Sequence, residues 1–145
     1  MKPVIFLRIA SVLTLIHAIL HTIGGVFGKP EPGIATMVAA TMRSQFFFFG
    51  VMRSYSDFYL GMGLAVSIFL TVEAVAFWLL ASLAKQDAAR LRPLVAMFTL
   101  GYVAMAINSW AFFFAAPVIV ELLIAACLAA AIFTASPDSE NATRA

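Results

Sequence analysis

The hydrophobic pattern of this chain consists of long apolar runs separated by short polar segments. A helix rises about 1.5 Å per residue and needs about 17 to 25 predominantly apolar residues to cross a bilayer. Four runs meet this criterion, at residues 4–27, 57–84, 93–115 and 117–135, and a polar tail follows at 136–145. We therefore expect an all-α integral membrane four-helix bundle that forms a single transmembrane domain over the whole chain.

The first run also has features of a signal peptide, because Lys2 and Arg8 supply positive charge near its start. It is longer than a normal signal h-region, holds two histidines and is not followed by an obvious small-x-small processing site. We interpret it as a retained helix. Two prolines and a glycine at residues 29–33 then end it, because proline lacks an amide donor and both residue types favour turns.

A fifth apolar segment, residues 34–49, raises the question of a fifth span. Arg43 would then lie near mid-membrane, at a cost of about 2.5–3.5 kcal/mol on insertion scales. The sequence favours a short interfacial or re-entrant helix between the first two spans. The four phenylalanines at 46–49 would be its apolar contact, and Arg43 and Arg53 would reach lipid head groups.

Local motifs predict where the later helices begin and end. Ser54 stands three residues before Asp57, a spacing that lets the two side chains cap each other's amides at a helix start. Pro93 suits the first turn of the third span. Ala116 and Pro117 leave room only for a tight turn before the fourth span.

Composition supports the membrane class. Hydrophobic residues make up 63% of the chain and charged residues 11%, against roughly 45–50% and about 25% in soluble domains. The net charge of +2 is small and shows no nucleic-acid footprint. The single cysteine, Cys127, has no partner for an intramolecular disulfide and is expected to pack as a small hydrophobe. The expected partner is the lipid bilayer.

The positive-inside rule predicts the orientation. With four spans, both termini share a side with the 85–92 loop, and six Lys or Arg residues lie there against three on the other side. The termini are therefore expected in the cytoplasm, in a cell (inner) membrane. Residues 141–143 match the N-glycosylation acceptor pattern, but a cytoplasmic C-terminus is not accessible to a luminal glycosylating enzyme, so the match is taken as chance. The six are Lys2, Arg8, Lys85, Arg90, Arg92 and Arg144, and the three are Lys29, Arg43 and Arg53.

Two histidines four residues apart, His17 and His21, lie on one face of the first predicted helix. Ionisable groups within a span are costly, so they indicate a functional site with partners on other helices. Counted from the cytoplasmic helix ends, several polar residues share a depth. His17, Glu73, Asn108 and Glu121 come at roughly 20, 17, 22 and 21 Å, and His21 and Trp110 both come at roughly 26 Å.

Three interpretations of this layer remain open. In the first, His17 or His21 forms an acid/base pair with Glu73 that acts on a lipophilic small molecule from the bilayer. In the second, the site holds a metal or haem, since imidazole and carboxylate suit iron, zinc or copper; no metal ligand is assigned. In the third, the cluster only sets the register of the helices in a structural, sensing or transport component. The residues expected to contact a ligand are Asn108, Tyr102, Trp110 and Glu121.

Three stretches resemble small bacterial four-span membrane proteins of DoxX-like plan: His-x-x-x-His-Thr-x-Gly-Gly at 17–25, residues 57–64, and the proline-opened fourth span. This resemblance covers most of the chain and implies a four-span fold, without an activity. The combination of His, Glu, Asn and Trp also resembles the polar pocket of the sterol-isomerase-like fold. That family's carboxylate four residues after a histidine is absent here, where Thr22 stands beside His21. Isomerase chemistry is therefore only an alternative.

Overall fold

The structure is a computed structural model that describes residues 2–135, and about 80% of it is helical. Helix α1 continues at its end into a π-helical segment, His21–Val26. A two-stranded antiparallel hairpin stands between the second and third helices. The elements in order are α1 Lys2–Leu20, α2 Ile34–Thr41, β1 Gln45–Phe48, β2 Val51–Ser54, α3 Tyr55–Asp87, α4 Arg92–Phe112 and α5 Ala115–Thr134.

Four helices are long and apolar enough to cross a membrane, as the hydrophobic pattern predicts. They contain 25, 33, 21 and 20 residues when α1 is counted together with its π-helical end. Pro93 lies at the start of α4, as expected. The predicted tight turn at Ala116 and Pro117 is wrong by three residues, because α4 and α5 are joined by Phe113 and Phe114. Pro117 instead lies in the first turn of α5, where its missing amide costs nothing.

The expected helix over residues 34–49 is also wrong in part. Helix α2 ends at Thr41, and the four phenylalanines belong to the hairpin rather than to the helix. Phenylalanine and valine favour strands, and the two-residue turn at Phe49 and Gly50 has positive φ at both positions, 46° and 87°. Helix α2 has eight residues and rises about 12 Å, too short for a fifth span.

The described chain divides into two compact units. The first comprises residues 2–17 and 71–135, and the second is Ala18–Leu70. Each long helix of the first unit contributes to its core, as Leu7, Phe77, Tyr102 and Leu128 show. Cys127 packs at the edge of this core as a free thiol, as expected from its apolar neighbours.

Direct polar contacts also join α1 to the second half of α3 within the first unit. Ser11 Oγ donates a hydrogen bond of 2.6 Å to the Ala74 carbonyl oxygen. One turn earlier, Arg8 Cζ lies 3.4 Å from the centre of the Trp78 ring. An Arg8 Nη2 atom also donates to Ser82 Oγ at 3.3 Å. Small hydroxyl side chains thus allow these two helix segments to approach closely.

In the second unit, the start of α3 is capped as the sequence predicts. The Ser54 amide donates to Asp57 Oδ2 at 2.8 Å, and the Asp57 amide donates to Ser54 Oγ at 3.2 Å. This reciprocal pair satisfies amides that the helix itself leaves without partners. The Ser56 amide donates to the Met42 carbonyl oxygen at 2.9 Å, which ties the end of α2 to the same turn.

Candidate functional site

A buried polar contact connects α3 and α4 in the first unit. Tyr102 Oη donates a hydrogen bond of 2.7 Å to Glu73 Oε2. The Tyr102 side chain is 1% exposed, while Glu73 is half-buried. On α1, the Thr14 Oγ1 atom lies 3.4 Å from Tyr102 Oη and 2.9 Å from the Ala10 carbonyl oxygen. The Thr14 hydroxyl has a single proton, which it can donate to one or the other of these two oxygens. Three helices therefore meet at one phenol group.

A second carboxyl group is held between α4 and α5. Ser109 Oγ donates to Glu121 Oε1 at 3.0 Å, and both side chains are buried. Glu121 is 2% exposed, and its expected contact with a ligand stays a prediction. Tyr102 and Ser109 are seven residues apart on α4, a rise of about 10.5 Å, so the two carboxyl groups bind different turns of that helix.

His17 is buried in the first unit, three residues after Thr14 on α1. Its burial agrees with the expectation that this imidazole faces other helices rather than lipid. Glu73 belongs to the same unit. Direct contact between His17 and Glu73 stays a prediction.

Two of the predicted site residues point outward. Asn108 is exposed and Trp110 is 78% exposed, so neither faces the core of the first unit. The buried face of α4 carries Val95, Tyr102 and Ala106, together with Ser109. Asn108 lies about 100° around the helix from Ser109. The expectation from depth alone was wrong here, because depth does not specify the direction of a side chain.

His21 belongs to the second unit and has its own partners there. Its Nδ1 atom lies 3.1 Å from Ser67 Oγ on α3. The Thr22 hydroxyl lies 2.8 Å from the same Ser67 oxygen and 2.6 Å from the Ala18 carbonyl oxygen. This small network joins the π-helical end of α1 to α3. The pairing of His21 with Trp110, which rests on depth alone, stays a prediction.

The described residues contain no group of three or more His, Cys, Asp or Glu side chains placed to hold a metal ion. Glu73 and Glu121 each have a hydroxyl donor on α4. These groups can hold and pass a proton through hydrogen bonds between hydroxyl and carboxyl groups. A groove of about 380 Å³ lies in the second unit, and none of the predicted site residues lines it.

Four hydroxyl residues that take part in these contacts were not among the candidates: Thr14, Thr22, Ser67 and Ser109. One sequence signal was present for Ser109, since it follows Tyr102 by seven residues and so shares its helix face. Thr14 precedes His17 by three residues and shares its face in the same way. Nothing in the pattern distinguishes Ser67 from the other hydroxyl residues of α3.

No protein-family model, curated protein or solved structure matches this chain. The resemblance to proteins of DoxX-like plan therefore stays a prediction from the residues at 17–25 and 57–64.

Proposed function

We propose that this chain is a multi-pass integral membrane protein whose buried polar pairs set the register of its helices, as in a structural, sensing or transport component. The observation that carries this proposal is the hydrogen bond of 2.7 Å from Tyr102 to Glu73, made by a fully buried phenol. In lipid, apolar surface alone does not hold one helix against another, so interhelical hydrogen bonds of roughly 0.6–2 kcal/mol decide which turns meet.

The exposed surface of the long helices supports placement in a bilayer. At most 39% of the most apolar window of any of the four is buried within the protein. Large apolar side chains such as Phe69, Leu100 and Ile107 are exposed along them. Soluble monomers rarely expose contiguous apolar surface on this scale, whereas lipid tails cover it without cost.

The orientation proposed from the charge bias can be tested by labelling. In a Cys127→Ala background, single cysteines replacing the exposed residues Lys29 and Gln86 would be probed with an impermeant maleimide on intact cells and on inverted vesicles. Cytoplasmic termini predict labelling of position 29 from outside and of position 86 only from inside. Labelling of both positions from the same side would contradict the four-span topology.

The register proposal can be tested with a double-mutant cycle. Glu73→Leu and Tyr102→Phe should each lower stability in detergent, because each removes one member of the hydrogen bond and leaves the other without it, and the double variant should recover part of the loss. The expected coupling is about 0.5–3 kcal/mol. Tyr59→Phe is the matched control, since Tyr59 is exposed. Additive effects of the two substitutions would contradict a structural pair.

A second candidate is an acid/base site for a lipophilic small molecule. The observation favouring it is that Glu73 is only half-buried, and so remains partly accessible, while His17 is buried in the same unit. Ligand-site residues often reduce stability, so Glu73→Gln and His17→Gln should then leave the melting temperature unchanged or raised. A co-purifying lipophile, detected by mass spectrometry, should disappear in both variants.

The same purification separates the candidates. Strong coupling between Glu73 and Tyr102 with no co-purifying molecule supports the register proposal. A molecule lost from the Glu73→Gln protein without coupling supports the acid/base site. Stoichiometric metal in the purified protein would instead support a metal or haem site.

A further inference from the structure

The hairpin of the second unit has one packed face and one unpartnered face. On the packed face, the Phe46 ring lies 5.0 Å from the Tyr55 ring. The Phe48 ring lies 5.2 Å from the Phe58 ring, and both partner rings belong to the first turn of α3. Side chains of neighbouring positions in a strand point to opposite faces. Phe47 therefore points away from α3, on the same face of the hairpin as its cross-strand partner Met52. The Phe47 side chain is 72% exposed.

The tip of the hairpin carries a residue that its backbone disfavours. Phe49 has a φ of 46°, in the left-handed region where glycine or asparagine is usual and where a bulky side chain is an outlier. Its ring meets Phe48 edge-on at 4.7 Å but stays 92% exposed. An aromatic ring held in an unfavourable turn, with little cover from the unit itself, indicates contact with something outside the unit.

Helix α2 extends this apolar surface. Ile34 and Met37 are strongly exposed on it. Between α2 and the start of α3 lies an open groove of about 380 Å³, wide enough for part of an acyl chain. Its lining is mostly apolar and consists of Ile34, Met37, Val38, Thr41, Met42 and Tyr55.

The charged residues of the same segment are all positive. Residues 34–54 contain two arginines, Arg43 and Arg53, and no aspartate or glutamate. Both arginine side chains are accessible. Arg53 lies across from Phe46 on the packed face and interacts with the Asp57 carboxyl group, so Arg43 is the cation placed to meet a lipid phosphate. A cationic, aromatic surface matches the chemistry of an anionic phospholipid leaflet, in which head groups carry negative charge above the acyl chains.

We propose that the unpartnered face and tip of the hairpin, together with the exposed side of α2, dock onto an anionic phospholipid leaflet. Phe47 and Phe49 insert at the boundary between head groups and acyl chains, and Arg43 binds lipid phosphates. Lipid is the occupant because β2 ends at Ser54 and α3 begins at Tyr55 with no linker. The hairpin thus stands at the end of a membrane-spanning helix, where head groups surround it; this step rests on the proposed function.

The test uses spin labels on the full chain in nanodiscs that hold one copy each. In a Cys127→Ala background, a nitroxide is attached at Phe49→Cys, at Glu31→Cys as an exposed loop control, or at Leu100→Cys as a control on the exposed side of α4. Collision rates with oxygen and with a water-soluble nickel chelate report immersion in lipid. The label at position 49 should favour oxygen, like position 100 and unlike position 31.

The controls separate failure of this inference from failure of the proposed function. A label at position 49 that matches position 31, while position 100 is immersed, overturns lipid docking alone. Aqueous labels at both 49 and 100 overturn membrane integration itself. A second copy of the chain could cover the hairpin instead. In that case, labels at position 49 would show dipolar broadening in discs that hold two copies and an aqueous signal in discs that hold one. This pair of results would overturn the lipid proposal.

Two further experiments test the roles of lipid charge and of the tip residue Phe49. Immersion of position 49 should be greater in phosphatidylglycerol discs than in phosphatidylcholine discs, and Arg43→Gln should reduce the difference. Native mass spectrometry should show about fivefold less bound phosphatidylglycerol in the Arg43→Gln variant. Equal immersion in both lipids would overturn the anionic specificity. Phe49→Gly suits the turn and preserves the hairpin, so any loss of bound lipid in that variant comes from the ring.

Discussion

Ser109 and Glu121 form a buried hydrogen bond of 3.0 Å between α4 and α5, close to the two-residue connection of these helices. The second carboxyl oxygen of Glu121, Oε2, accepts no hydrogen bond from the residues that the structure describes. The Ser109 hydroxyl is therefore the one donor that the described residues offer to this buried carboxyl group. The pair fixes the rotation of α4 against α5 where the chain reverses direction.

Ser109→Ala should destabilise the protein because it strands a buried carboxyl group. The expected loss is about 1–3 kcal/mol of unfolding free energy in detergent. Combining it with Glu121→Leu should recover part of that loss, since neither polar group then remains. Asn108→Ala, at the exposed neighbouring position, is the matched control and should change stability by less than about 0.5 kcal/mol. A larger effect at Asn108 than at Ser109 would contradict the observed rotation of α4.

The cap of α3 should be locally important. Asp57→Ala removes the acceptor of the Ser54 amide and hydroxyl, so it should lower the melting temperature. Amide hydrogen exchange should rise in the first turn of α3 and remain unchanged in α4. Ser56→Ala serves as the control, because the Ser56 contact that ties α2 to this turn uses only its backbone amide.

Two neighbouring glycines should respond differently to alanine. A Cβ atom at Gly63 would lie 3.0 Å from Val26 Cγ2, whereas a Cβ atom at Gly61 would meet nothing within 4 Å. Gly63→Ala should therefore lower the melting temperature by forcing Val26 to move, while Gly61→Ala should raise it slightly through better helix propensity. Gly63→Ala with Val26→Ala should restore stability. Equal responses of both glycines would contradict the close approach of α1 and α3 at this turn.

The contact of Arg8 with Trp78 should be visible in fluorescence. With Trp110→Phe removing the other tryptophan, the emission of Trp78 reports the guanidinium that lies 3.4 Å from its ring centre. Arg8→Gln should shift that emission and cost about 0.5–1 kcal/mol. Arg8→Lys should retain part of both effects, since an ammonium group also interacts with the ring face. An unchanged spectrum in Arg8→Gln would contradict the stacked arrangement.

The sequence by itself determined the four long helices and the capped start of α3. Both depend on features that neighbouring residues carry: run length and apolarity for the helices, and the three-residue spacing of Ser54 and Asp57 for the cap. The presence of buried ionisable groups could be predicted in the same way, because a carboxyl group such as Glu121 within an apolar run must find a partner.

Only the tertiary structure decided which side chains meet. Depth along a helix predicted Asn108 as a partner, but rotation about the axis turns Ser109 inward, and one residue changes the direction of a side chain by about 100°. The hairpin was missed for a related reason. Its strands satisfy each other's backbone groups across the turn at Phe49 and Gly50, and that pairing, with the packing of Phe46 and Phe48 on α3, outweighs the helical preference of a local apolar run.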